Sequence, residues 1–71
     1  MNTAEIVKTA RLRKGLTMKQ LSEKSGVSLP TIWNLENARN TPSMDTMLAL
    51  MSAMDYDIVF KPKYKGGYLD D

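Results

Sequence analysis

The chain has no cysteine and no histidine among its 71 residues. A domain this short sits near the lower limit at which one core sustains itself, and the usual supplements are disulfides, a metal or a partner chain. Here no disulfide can form, and structural zinc sites built from cysteine and histidine are excluded. What remains is a helix-rich compact fold, association with a second copy, or both. The same absences remove the commonest general base and the best protein nucleophile. The eight acidic residues form no motif for hydrolysis or carboxylate metal binding. An enzyme is therefore not expected, and neither is a cofactor or a metal.

Nothing in the chain approaches the roughly 18 consecutive apolar residues that span a bilayer. Met1-Asn2-Thr3-Ala4-Glu5 lacks the basic start and apolar run of a signal peptide. A cytoplasmic protein without membrane partners fits. The net charge of +2 is modest, but its distribution is uneven: residues 1–41 carry seven basic against three acidic side chains, and residues 42–71 three against five. A basic front half points to a polyanion on one side.

Four short helices are predicted. Ile6, Val7, Ala10 and Leu12 recur near helical spacing and predict the first over about residues 3–14, closed by Gly15. Thr17 offers an N-cap for a second helix that runs through Leu21 to about Ser25 and ends at Gly26. Ser28 caps a third with Pro30 in its first turn, where a missing N–H costs nothing. Ile32 and Leu35 form its buried stripe, and Asn37-Ala38-Arg39-Asn40 ends it. Thr41 or Ser43 caps the fourth. Its predicted core stripe is Met44, Met47, Leu48 and Met51, flanked by Leu50 and Met54, with Met51 or Met54 near a dimer seam.

After Asp55 the period changes. Tyr56, Ile58 and Phe60 alternate with Asp57, Val59 and Lys61, which predicts a strand ending at Pro62. The expected organisation is residues 1–55 as the helical domain, 56–63 as a strand and 64–71 as a flexible tail. A lone strand needs a partner, so Tyr56, Ile58, Val59 and Phe60 are expected to pair across a dimer. The alternative is an arm packed on its own helices.

Two short helices separated by Gly26-Val27-Ser28 have the spacing of a helix-turn-helix unit, whose second helix enters the major groove of DNA. At Leu16-Thr17, Leu21, Gly26-Val27-Ser28, Thr31-Ile32, Leu35-Glu36-Asn37, Pro42-Ser43 and Leu48 the chain resembles the lambda-repressor-like, or XRE, regulators. The resemblance covers about residues 5–54. It implies an all-α, compact bundle of about four or five helices that binds operator DNA as a dimer. It also implies an ion pair between Arg11 and Glu36.

Carried over position by position, the family pattern puts Leu29, Pro30, Thr31 and Asn34 on DNA bases. Asn34 is suited to adenine, and Thr31 or Leu29 to a thymine methyl. Backbone contacts fall to Thr17, Met18, Lys19, Ser28, Trp33, Asn37, Arg39 and Asn40. Ser28 is equally explained as an N-cap, and Trp33 as a surface residue without a role. Met18 departs from the glutamine common in the family, which leaves backbone N–H groups for phosphate there.

The strand after the last helix resembles the antitoxins of HipA-type kinase operons. The leading expectation is a bacterial or phage repressor, a homodimer that autoregulates its own operon, either as a stand-alone regulator or, as the strand's resemblance implies, as an antitoxin with a cognate toxin as a further partner. An inverted-repeat operator follows from twofold symmetry. A rival from another class keeps the fold but serves as a protein–protein adaptor, with Leu29 and Trp33 as its contact surface.

Overall fold

The computed structural model describes residues 2–63. The predicted tail at 64–71 lies outside the described residues. Four helices follow in order: α1 (Thr3–Arg13), α2 (Met18–Ser25), α3 (Leu29–Glu36) and α4 (Met44–Ala53). Each start is fixed by a side chain that accepts an otherwise unpaired backbone N–H: Asn2 from Glu5, Thr17 from Gln20, Ser28 from Thr31 and Ser43 from Thr46. Between Thr41 and Ser43, the cap is Ser43.

The C-terminal ends share a device. After α1, α3 and α4 the chain takes a left-handed step at Gly15 (φ 68°), Ala38 (φ 56°) and Asp55 (φ 64°). The next N–H then reaches back to the last full turn: Leu16 to the Arg11 carbonyl, Arg39 to that of Asn34, and Tyr56 to that of Met51. These are Schellman closures. Glycine occupies the left-handed position freely, whereas Ala38 and Asp55 carry a Cβ there at a cost.

α1 packs on α3 and α4, and α2 packs on the same two helices. Their shared core is Val7, Ala10, Leu21, Ile32, Leu35, Leu50, Met51 and Met54. Two expectations fail here. Leu12 is 58% exposed and takes no part in the core. The stripe of α4 is also displaced: Met44 and Leu48 are exposed, while Leu50, Met51 and Met54 are buried, with Met47 packed against them. The same i, i+3, i+4, i+7 template fits residues 47, 50, 51 and 54, three positions further along. α4 is apolar on nearly every side, so periodicity alone leaves the register open. Met51 and Met54 are buried in the protomer's own core.

Among the described residues there is no strand; 56–63 carries no ladder. The reason is physical, because a strand is defined by pairing and a single chain offers no second one. Tyr56 and Ile58 instead pack against the helical core. Val59 and Phe60 leave it and are 70% and 69% exposed.

Candidate nucleic-acid interface

The inner side of α3 is anchored twice. Ile32 and Leu35 are fully buried. Beside them Glu36, whose side chain is 2% exposed, receives two parallel hydrogen bonds from Arg11: Nε to Oε2 at 2.7 Å and Nη2 to Oε1 at 2.9 Å. A third guanidinium bond, from Nη1, goes to the Leu16 carbonyl at 2.8 Å. Glu36 raises the Arg11 pKa above its already high ordinary value through the hydrogen bond, opposed by burial and aided by direct charge attraction. The pair joins α1 to the end of α3, and the Leu16 bond ties in the turn that leads to α2. Bidentate geometry of this kind both stabilises the charges and fixes orientation.

The turn between α2 and α3 is held by hydroxyls. Ser22 Oγ donates to the Val27 carbonyl at 2.6 Å, and Val27 N–H donates to Ser25 Oγ at 3.1 Å. Gly26 supplies the left-handed step at φ 76°. Val27 is half-buried against the core, so it plugs the angle between the two helices.

Opposite the anchored side, α3 presents Pro30 in the middle of its outward face. Leu29 and Trp33, 41% and 45% exposed, flank it on one side. Thr31 and Asn34, both half-buried, flank it on the other. Ser28 Oγ and Thr31 Oγ1 lie 2.7 Å apart and hydrogen-bond to one another, and Ser28 Oγ also accepts the Thr31 N–H at 3.3 Å. Ser28 is thus the helix cap, and the Thr31 hydroxyl is already engaged. The Asn34 side chain has no hydrogen bond among the described residues.

Past the helix end, Arg39 lies over the Trp33 ring, 5.3 Å from its centroid, a cation–π distance. Asn37 Nδ2 donates to the Trp33 carbonyl at 2.8 Å, so this amide is partly occupied in closing α3. Asn40 is exposed in the following turn.

At the start of α2, Thr17 and Gln20 form a reciprocal capping box: Thr17 N–H to Gln20 Oε1 at 2.8 Å and Gln20 N–H to Thr17 Oγ1 at 3.0 Å. Sequence reasoning missed Gln20, although Thr-x-x-Gln is itself the signal for such a box. Met18 packs inward against the core. Its side chain is half-buried there, while the N–H groups of Met18 and Lys19, in the first helical turn, have no intrahelical acceptor. Lys19 is exposed.

The structure gathers Leu29, Pro30, Thr31, Trp33 and Asn34 on one helix face, with Arg39 stacked at its edge. Tyr56, Ile58, Val59 and Phe60 belong to the segment after α4. There an apolar groove of about 240 Å³ is lined by Ile6, Thr9, Ala10, Arg13, Met51 and Tyr56, with no contribution from α3.

The family model described as Helix-turn-helix matches residues 7–61. The chain therefore belongs to the helix-turn-helix family of the lambda-repressor-like, XRE type. That is a family of DNA-binding transcription regulators, a class that is generally not enzymatic. No curated protein sequence matches the chain. No helix among the described residues is long and apolar enough to cross a membrane.

Proposed function

We propose that this protein is a sequence-specific repressor that binds double-stranded operator DNA as a homodimer in the cytoplasm and regulates its own operon. The observation that carries the reading is the two-sidedness of α3. One side is locked into the fold by Ile32, Leu35 and the Glu36–Arg11 pair. The other offers Leu29, Pro30, Trp33 and the uncommitted Asn34 amide. In this reading α3 enters the major groove, and Asn34 pairs with adenine through its amide. The free N–H groups of Met18 and Lys19, with Lys19, Asn37, Arg39 and Asn40, meet phosphates and set the register without reading sequence.

A dimer is supported by Val59 and Phe60, which a lone protomer leaves in water, and by the apolar groove that Tyr56 of the same segment helps to line. Twofold symmetry would place two copies of α3 about 34 Å apart, one turn of DNA, on an inverted repeat. A toxin partner, in the manner of a HipB-like antitoxin, is the finer version of the same proposal.

Fluorescence anisotropy tests it on a duplex from immediately upstream of the gene, beside a scrambled duplex, across a salt series. Tight binding to the upstream duplex alone, at two chains per site, is expected. Equal, weak binding to both that disappears with salt contradicts autoregulation. Loss of a protein contact on Trp33→Ala, with no effect of Asn34→Ala, would favour the adaptor.

A further inference from the structure

The outward face of α3 is poor in hydrogen-bonding groups for a surface that reads DNA. Its two hydroxyls, on Ser28 and Thr31, are engaged with each other at 2.7 Å. Leu29 and Pro30 offer only hydrocarbon. Trp33 offers one indole N–H, and one of its ring faces is taken by Arg39 at 5.3 Å. The Ser28–Thr31 bond uses one of that pair's two hydroxyl protons, so one O–H donor remains there, and Asn34 adds an amide with no hydrogen bond among the described residues. Leu29, Pro30 and Trp33 are three of the five residues on this face, so apolar contact is the larger part of what it offers a base edge.

In the major groove one base edge rewards such contact. Thymine carries a C5-methyl group; cytosine has a bare C–H at that position, and the purine edges are polar. Hydrocarbon laid against a polar edge strips its water without a replacement bond, which is unfavourable. Leu29 and Trp33 lie one helical turn apart on the same flank, so their side chains are neighbours. The stacked Arg39 and the Asn37 bond to the Trp33 carbonyl restrain that flank.

We propose that α3 discriminates among sequences chiefly through thymine methyl groups, with Leu29 and Trp33 as the specificity-determining residues. The operator half-site is then rich in thymine at the positions this flank meets, with an adenine where Asn34 reaches. This inference rests on the DNA-binding reading above and specifies the chemistry that reading leaves open.

The test starts with the full chain and a randomised duplex pool. The most enriched duplex is resynthesised with deoxyuridine in place of each thymidine in turn, which deletes the methyl and keeps the base pair. At one or more positions per half-site, affinity is expected to fall about fourfold, the worth of one buried methyl. Leu29→Ala or Trp33→Ala should then bind the thymidine and deoxyuridine duplexes equally at that position. Both residues are exposed, so neither change opens the core. If every deoxyuridine duplex binds within twofold of the parent, while sequence selection stays strong, methyl readout is wrong. Methyl readout by this flank is equally wrong if both variants keep the full thymidine preference. If no sequence is enriched, the DNA-binding reading itself fails and takes this inference with it.

Discussion

The two sides of α3 are built from the same eight residues on opposite principles. On the inner side, Ile32 and Leu35 have no exposed surface to speak of, and Glu36 gives both carboxylate oxygens to Arg11. On the outer side, Leu29 and Trp33 stand in water, and the Asn34 amide has no partner among the described residues. The inner side commits its interactions to holding the helix at a fixed angle to α1 and α2. The outer side withholds them. A surface that is rigid yet unsatisfied loses little entropy when a ligand completes it, which is the physical content of preorganisation.

That contrast breaks most visibly at Glu36. In Glu36→Ala the Arg11 guanidinium stays behind, largely buried and short of two hydrogen bonds, and loss of about 3–5 kcal/mol of folding stability is expected. Urea denaturation measures it. A loss under about 1 kcal/mol, the range of exposed pairs, would mean that α3 is held by its apolar contacts alone.

Asn34→Ala is the converse experiment on the outer side. Stability should stay within about 0.5 kcal/mol, while binding to the cognate duplex weakens by about 1–3 kcal/mol. Calorimetric melting and anisotropy on the same sample separate the two quantities. A large drop in melting temperature would assign Asn34 to the fold.

The end of α3 offers a smaller and opposite effect. Ala38 carries its Cβ at a positive φ of 56°, and Ala38→Gly relieves that strain while preserving the Schellman bonds. A gain of up to about 1 kcal/mol in stability is expected, read as a rise in urea midpoint at constant slope. An unchanged or lowered midpoint would contradict the left-handed assignment.

Arg39→Ala sharpens the comparison at its edge. Weaker binding to all duplexes alike is expected, with the slope of log affinity against log salt reduced by about one. Selective loss on the cognate duplex would place Arg39 on a base.

Much of this arrangement is legible in the sequence, and the limits of that reading have identifiable causes. Thr17, Ser28 and Ser43 are read as caps because a short hydroxyl side chain before an amphipathic run has one common use. Gly15 and Gly26 mark left-handed steps because glycine takes them freely. Ala38 takes the same step and leaves no mark, since alanine does not advertise the conformation; aspartate tolerates it better, but most aspartates do not adopt it, so Asp55 alone is a weak sign. The register of α4 escapes because the same apolar template fits two positions three residues apart. The Arg11–Glu36 pair spans 25 positions, and periodicity says nothing at that range; only resemblance to the family suggested it. The alternation of Tyr56, Ile58 and Phe60 is real as a pattern, but the chain follows it inward only to Ile58.

The most direct test of the central claim is to map, by backbone amide NMR, which residues respond when a short generic duplex is added at low salt. Phosphate contacts alone suffice for binding under those conditions. The largest shifts should fall on Thr17–Lys19, Leu29–Asn34 and Asn37–Asn40, with the amides of Val7, Leu50 and Met51 unmoved. Shifts centred on the Ile6, Ala10 and Tyr56 groove, with α3 silent, would contradict the claim that the outward side of α3 is the nucleic-acid interface.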